Sequence, residues 1–245
     1  AMSIDTPCKP LVSLLMSGNA GLVPVIDDQR CTLSIFIGSN PVVSHGHMNG
    51  LPDPVVRLRH LAAPPRELWV IDTRTTESSR RATRSLMPRP GTDLAIVAYL
   101  VRELLATGDC DERYLFDHVH ERDLEVLRAA VDEWTAEQAS EVTGCDVRDL
   151  HDLVDAVRRH GHVAAQTGTG TTMSAAANVT EWLVWVLHVL TGSYDAPGGM
   201  WFHPGFLRQV HRDVEPQREA PELRQGPRSR PDLPIWGPEY PCSAL

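Results

Sequence analysis

The feature that most constrains the fold is a short apolar run, residues 33–37, that ends in the turn Gly-Ser-Asn-Pro at residues 38–41. An apolar run of this length, bounded by turn residues, is typical of a buried strand. A second run, residues 68–71, ends in Asp72, and the Pro-Gly-Thr-Asp turn at residues 90–93 leads into an apolar helix. Because strand, glycine loop, strand, acidic turn and helix follow in this order, we predict an α/β unit that holds a nucleotide.

The rest of the chain continues the α/β pattern. Further strands are predicted at residues 85–87 and 162–166, and helices at residues 54–61, 77–84, 93–107, 175–190 and most of 111–161. Asp123, Thr135 and Asp146 are the candidate N-caps of the middle helices. We predict a Rossmann-like variant of the α/β class, a mostly parallel, doubly wound sheet of about four to six strands with helices on both faces.

Composition excludes several classes of function. The chain has 32 acidic and 23 basic residues, a net charge of −9, and so lacks the basic excess that binding to nucleic acid or anionic membrane needs. Its five cysteines form no CxxC pair, which argues against an iron–sulfur or structural zinc site. No apolar run reaches the roughly 18–20 residues of a transmembrane helix. We therefore expect no metal site, no nucleic-acid partner and no membrane insertion. We also expect a cytoplasmic location, although a longer parent protein could be exported.

The first candidate binding residues lie in the glycine loop. Backbone N–H groups around Gly38 could face a phosphate, and the amide of Asn40 could bind a phosphate or a sugar. The alternative is an ordinary turn at the end of a strand, since glycine, asparagine and proline are common turn residues.

Two acidic residues are candidates for the nucleoside. Asp72, at the carboxyl end of a strand, could accept hydrogen bonds from ribose or from a base edge. Guanine presents two adjacent N–H donors, and the carboxylate of Asp93 could accept both. The alternative for each residue is a helix cap.

Two further motifs give weaker signals. Gly168 and Gly170 form a G-x-G loop after a strand, but the loop lacks the third glycine of a dinucleotide fingerprint. His45 and His47 have the spacing of a histidine pair, but no third ligand stands near them in the sequence. A loop or solvated pair is the better interpretation of these histidines.

Taken together, the motifs resemble one family, the molybdopterin oxidoreductases of the dimethyl sulfoxide reductase and formate dehydrogenase type. The shared motifs are G-x-N-P at 38–41, D-x-R-x-T at 72–76, P-G-T-D at 90–93, G-x-G at 168–170, L-T-G at 190–192 and P-G-G at 197–199. The chain departs from the family at Thr73, where proline is usual, at Met173, where glutamine is frequent, and at Ser193, where asparagine is usual. Residues 83–85 also depart from it.

The resemblance implies that the chain holds one of two molybdopterin guanine dinucleotides, mainly through the nucleotide half, in a molybdenum or tungsten enzyme. It implies that the loop of Gly38, Asn40 and Pro41 lies against the cofactor and that Asp93 reads guanine. The remaining implied cofactor-binding residues are Asp72, Arg74, Thr76, Gly168 and Gly170. It also implies an iron–sulfur cluster in a missing N-terminal domain and a small-molecule substrate, as in formate dehydrogenases or nitrate and sulfoxide reductases.

We expect three parts: an N-terminal arm (1–32), the cofactor-binding α/β domain (33–206) and an irregular C-terminal tail (207–245). The Ala-Met-Ser start and the uncapped end suggest a piece of a longer enzyme, inactive alone and completed by the remaining domains of its parent. The rival interpretation is a nucleotide-binding or interaction module without redox chemistry. An NAD-binding domain is a third interpretation, against which the incomplete glycine pattern speaks.

Overall fold

The computed structural model describes residues 6–46, 50–202 and 222–236. The helices are α1 Cys8–Ser17, α2 Pro41–Ser44, α3 Pro54–Leu61, α4 Asp93–Thr107, α5 Glu112–His118, α6 Glu121–Val131, α7 Ala136–Thr143, α8 Val147–His160, α9 Thr169–Thr172 and α10 Ala177–Leu190. The strands are β1 Val25–Ile26, β2 Leu33–Ile37, β3 Glu67–Ile71, β4 Arg84–Leu86, β5 Ala164–Thr167, β6 Met200–Trp201, β7 Leu223–Arg224 and β8 Ile235–Trp236.

The chain divides into two compact units. One contains residues 1–23 and 204–245, and the other contains residues 24–203. In the first unit, part of the predicted N-terminal arm forms α1, which ends at Gly18 with a left-handed φ of 75°. β7 and β8 of this unit pair antiparallel. Most of the tail that we expected to be irregular, at residues 207–221 and 237–245, lies outside the described residues.

The second unit is built on a parallel sheet in the order β4-β3-β2-β5. All three pairs of neighbouring strands in it are parallel, while β1 and β6 form a separate antiparallel pair. β2 is central and buried along its whole length, as its uninterrupted apolar sequence predicts for a parallel strand covered on both faces.

Helices cover both faces of this sheet. Ile35 and Ile37 of β2 point to one face, where they join the larger core that includes residues of α4, α8 and α10. Phe36, between them, points to the other face and joins a smaller core that includes Leu58 and Leu61 of α3. This alternation follows from the two-residue period of a strand. The predicted α/β fold with a parallel sheet between helices is therefore confirmed.

Helix starts and stops agree in large part with the sequence. The Thr135 and Asp146 side chains cap α7 and α8 by accepting hydrogen bonds from Gln138 N and Arg148 N. The expected cap at Asp123 is wrong, because α6 begins earlier, after His120, and Asp123 lies in its first turn. The helix expected at residues 77–84 is only a short 3₁₀ turn, Ser79–Arg81.

Strand order creates a switch point at β2. The chain passes from β2 to β3 on one side, and after β4 and helices α4 to α8 it returns as β5 on the other side of β2. In open α/β sheets, ligands bind outside the carboxyl ends of the strands where the order reverses in this way. The Gly38 loop after β2 and the Gly168 loop after β5 both lie at this point.

β5 is an edge strand, and side chains accept hydrogen bonds from two backbone N–H groups in or next to it. The N–H of Val163, just before β5, donates to Oγ of Ser193 at 2.9 Å. The N–H of Ala165 donates to Nε2 of His188 at 3.0 Å. Ser193 therefore has a structural role in the L-T-G-S segment, since it satisfies a buried backbone donor beside the sheet.

Candidate nucleotide site at the carboxyl edge of the sheet

The three glycines of the predicted site lie against one another. Gly170 N–H donates to the carbonyl oxygen of Gly38 at 2.9 Å, and Gly168 N–H donates to the carbonyl oxygen of Ile37 at 2.7 Å. A Cβ atom on Gly168 would lie 2.5 Å from the Gly38 oxygen, and one on Gly170 would lie 3.0 Å from the Gly38 Cα. These glycines let two loops pack backbone to backbone, which is a sufficient physical reason for glycine at each position.

The Asp93 carboxylate is buried at this edge. Asp93 is the first residue of α4 and is 6% exposed. Its Oδ2 accepts a hydrogen bond from Oγ1 of Thr171 at 2.7 Å, and the same Oγ1 lies 3.2 Å from the carbonyl oxygen of Ile37 at the end of β2. α4 thus begins beside the carboxyl end of the central strand.

Burial is the main influence on the pKa of Asp93. Desolvation raises this pKa above its ordinary value, the hydrogen bond from Thr171 lowers it, and the negative charge of Asp72 raises it. Asp72, the half-buried residue after β3, is therefore close enough to Asp93 to affect its ionisation. Both carboxylates that the sequence proposed for the nucleoside therefore lie at the carboxyl edge of the sheet, within electrostatic reach of each other.

Asn40 is engaged within the protein. Its Nδ2 donates to the Glu77 carboxylate at 2.7 Å, and its Oδ1 accepts from the hydroxyl of Ser78 at 2.7 Å and from its backbone N–H at 3.2 Å. The amide expected to face a phosphate or sugar instead joins the loop after β2 to the segment after β3. Thr76 is buried in that segment, and its Oγ1 accepts from Ser79 N–H at 3.0 Å.

The remaining residues that the sequence singled out and the structure describes are either buried at a helix start or exposed. Pro41 is buried as the first residue of α2, and Arg74 is exposed, with its guanidinium 3.8 Å from Glu77. Met173, at the end of α9, is exposed. His45 is an exposed residue that ends α2, whereas His47 lies outside the described residues. The described part of the chain contains no group of three or more His, Cys, Asp or Glu that could hold a metal.

Sequence reasoning missed two residues of this edge. Thr171, which is fully buried and binds Asp93, stands in a run of threonines that gave no local signal. Ser39 lies inside the recognised loop, yet its buried hydroxyl has no hydrogen-bond partner among the described residues. Leaving a buried hydroxyl without a hydrogen-bond partner costs free energy. The Ser39 hydroxyl is therefore a polar group that a ligand could bind.

The acids at this edge determine what it can bind. The carboxylates of Asp72 and Asp93 repel phosphate and attract groups that donate hydrogen bonds. The edge therefore suits the donor-bearing edge of a base and the hydroxyl groups of a sugar better than a diphosphate.

No protein-family model matches the chain. Among curated proteins, it is 28% identical to the "Probable oxidoreductase YjgC" of Bacillus subtilis over 71% of this chain and 17% of that protein. It is 24% identical to the "Putative formate dehydrogenase YrhE" of the same organism over 92% of this chain and 21% of that protein. A putative formate dehydrogenase of Staphylococcus aureus is 24% identical over 74% of this chain and 18% of that protein.

The chain is thus similar in sequence to a protein named as a probable oxidoreductase and to proteins named as putative formate dehydrogenases. These relatives confirm the resemblance predicted from the sequence motifs, and the chain spans about a fifth of their length. Among solved structures, the acetylene hydratase of Pelobacter acetylenicus has the same fold, with a TM-score of 0.68 at 17% identity over 80% of this chain and 25% of that chain. No helix in the described ranges is long and apolar enough to cross a membrane.

Proposed function

We propose that this chain binds the guanosine end of a molybdopterin guanine dinucleotide, as one part of a molybdenum- or tungsten-dependent oxidoreductase. The observation that carries the proposal is the buried carboxylate of Asp93, held at the switch point of the sheet by the Thr171 hydroxyl and influenced by the charge of Asp72. An ionised carboxylate is an acceptor only, so it matches the two adjacent N–H donors of guanine and not the edge of adenine.

The residues present fit the nucleoside better than the rest of such a cofactor. Asp93 would accept from the base and Asp72 from ribose hydroxyls, while the unpartnered Ser39 hydroxyl could bind a further polar group. Asn40 and Thr76 would act indirectly, because their polar atoms already hold the loops together. The metal of the bound cofactor would supply the redox chemistry, and this chain would bind and orient the nucleotide.

The parent enzyme is the wider part of the proposal. The relatives named as putative formate dehydrogenases support a parent that oxidises or reduces a small molecule. The iron–sulfur cluster implied by the motif resemblance, and the remaining domains, would lie outside this chain. We expect no redox activity from these 245 residues alone, because only one end of the cofactor would contact them.

Nucleotide binding to the chain tests the proposal. GDP and ADP are titrated into the purified protein by calorimetry, together with the Asp93→Asn variant. We expect GDP to bind in preference to ADP, and Asp93→Asn to weaken GDP at least about tenfold, the effect of losing a hydrogen bond to a charged group. The matched control is Asp123→Asn, an exposed aspartate in the first turn of α6.

Two results would contradict the proposal. One is equal binding of GDP and ADP, and the other is unchanged GDP affinity in folded Asp93→Asn. In the full-length parent, Asp93→Asn should also lower the molybdenum or tungsten content. A parent that binds GDP but never carries either metal would instead be a nucleotide-binding module without redox chemistry.

A further inference from the structure

We propose that Thr171 is the positioning residue of this site, and that its hydroxyl holds the Asp93 carboxylate in the orientation that accepts both donors of a guanine base. The inference rests on the proposed function, since it assigns to Thr171 the task of preparing Asp93 for that ligand. Thr171 is part of none of the motifs from which the site was predicted.

The geometry of Thr171 links three elements. It lies on α9 after β5, its Oγ1 donates to Asp93 Oδ2 at the start of α4, and the same atom lies 3.2 Å from the carbonyl oxygen of Ile37 at the end of β2. A hydroxyl has one proton to donate, and the bond to the carboxylate, at 2.7 Å, is both the shorter and the charge-assisted one. Because Thr171 is 0% exposed, water does not compete for this hydroxyl.

The bond determines which lone pairs a ligand can use. A carboxylate has about four acceptor positions, and the Thr171 bond takes one of them on Oδ2. Oδ1 and the remaining position on Oδ2 are left for adjacent donors. Without the Thr171 hydroxyl, the carboxyl group would be free to turn about its Cβ–Cγ bond, whose rotation is soft.

The same bond favours the ionised form of Asp93. Burial and the charge of Asp72 both raise the pKa of Asp93, whereas the Thr171 hydrogen bond lowers it. A protonated carboxyl would turn one acceptor into a donor and oppose it to an N–H of the base. Thr171 therefore supports the orientation and the charge state that guanine requires.

The neighbouring glycine supports this assignment. Gly38 has a left-handed φ of 58°, and a Cβ at this position would lie 2.6 Å from Oγ1 and 2.5 Å from the backbone nitrogen of Thr171. Any side chain at position 38 would push Thr171 away from Asp93. The glycine of the loop is thus required where Thr171 approaches.

The first test measures GDP binding to the chain as a function of pH. Thr171→Val keeps the shape of the side chain and removes the hydroxyl, whereas Thr171→Ser keeps the hydroxyl. We expect Thr171→Val to weaken GDP about tenfold at neutral pH and to raise the pH below which binding is lost. Thr171→Ser should restore both the affinity and the pH profile.

The second test needs no ligand. The Asp93 carboxyl is titrated by ¹³C NMR in the wild type, in Thr171→Val and in Thr171→Ser. Loss of the hydroxyl should move the pKa of Asp93 further upward, and serine should return it toward the wild-type value. A residue with a merely structural role would change the stability of the protein and leave this titration in place.

The outcomes separate the two proposals. If GDP binding depends on Asp93 but is the same in folded Thr171→Val at every pH, the positioning role is overturned and the proposed function stands. If the wild type shows no preference for GDP, the proposed function fails, and the positioning role fails with it. If the Asp93 titration is unchanged in Thr171→Val, the hydrogen bond does not govern Asp93 and the inference is wrong.

Discussion

The side-chain amide of Asn40 donates to the Glu77 carboxylate at 2.7 Å and thereby joins the loop after β2 to the segment after β3. This bond holds the pKa of Glu77 below its ordinary value. Asn40, the polar residue of the G-x-N-P motif, thus braces the site by joining these two segments. Its partner, Glu77, belongs to no motif.

A charge placed at position 40 tests this brace. Asn40→Asp replaces the donor facing Glu77 with an acceptor and creates a repulsion between carboxylates, while the acceptor for Ser78 is retained. We expect a lower urea midpoint at pH 7, and partial recovery at a pH where one carboxyl is protonated. The matched control is the double variant Asn40→Asp/Glu77→Gln, which restores a donor–acceptor pair. If the double variant is no more stable than Asn40→Asp, the pairing with Glu77 does not brace the loops.

A methyl group at Gly168 tests the contact between the two glycine loops. Gly168 has an extended backbone, with φ −122°, so alanine introduces no strain in φ. Its Cβ would meet the carbonyl oxygen of Gly38 at 2.5 Å, and we expect a loss of about 3 kcal/mol in the free energy of unfolding, at the upper end for overpacking. Gly50→Ala is the control, because a Cβ there has nothing within 4 Å. Equal stabilities of the two variants in urea denaturation would show that the loops separate easily.

Local patterns in the sequence predicted the main elements well. β2 at Leu33–Ile37 and α3 at Pro54–Leu61 occur at the predicted residues, because an apolar run and an N-terminal proline are signals contained within the element itself. α4 likewise covers the predicted range and is followed by Gly108, a residue that favours the end of a helix. The positions of Asp72 and Asp93 at one edge followed from the rule that ligands bind at the carboxyl ends of parallel strands.

Pairings between distant side chains could not be predicted in this way. Thr171 is 78 residues from Asp93 in sequence, and Asn40 is 37 residues from Glu77. A single sequence contains no local signal for either pair, since each depends on how two loops meet after the sheet has formed. Glu77 itself lies in a charged segment for which a solvated helix was the simplest prediction.

Removal of the Ser193 hydroxyl tests the protection of the β5 edge. Ser193→Ala leaves the buried N–H of Val163 without its acceptor, and we expect a loss of about 2 kcal/mol, the cost of an unsatisfied buried donor. Ser85→Ala, at an exposed position on β4, is the control and should change stability by less than about 0.5 kcal/mol. Hydrogen exchange should also become faster at Val163. An unchanged exchange rate there would mean that the Ser193 bond contributes nothing to the edge.

His188 should make the stability of the fold depend on pH. Its Nε2 accepts from Ala165 N–H, so its proton is on Nδ1, which has no partner among the described residues. Burial lowers the pKa of His188 from 6.5 to about 4, while the negative charge of Glu181, on the same helix, acts in the opposite direction. As the pH falls, His188 therefore takes up a proton near pH 6.5 in the unfolded chain but only near pH 4 in the folded chain. Stability contributed by neutral His188 is complete above pH 6.5 and is lost as the pH falls from 6.5 to about 4. At roughly 1.4 kcal/mol per pH unit, the loss amounts to about 3 kcal/mol.

Urea denaturation between pH 7.5 and 4 measures this loss of stability. The variant His188→Gln keeps an acceptor for Ala165 but does not titrate, so it should flatten that part of the stability curve. If wild type and His188→Gln lose stability in parallel over this range, other groups cause the acid sensitivity and His188 does not.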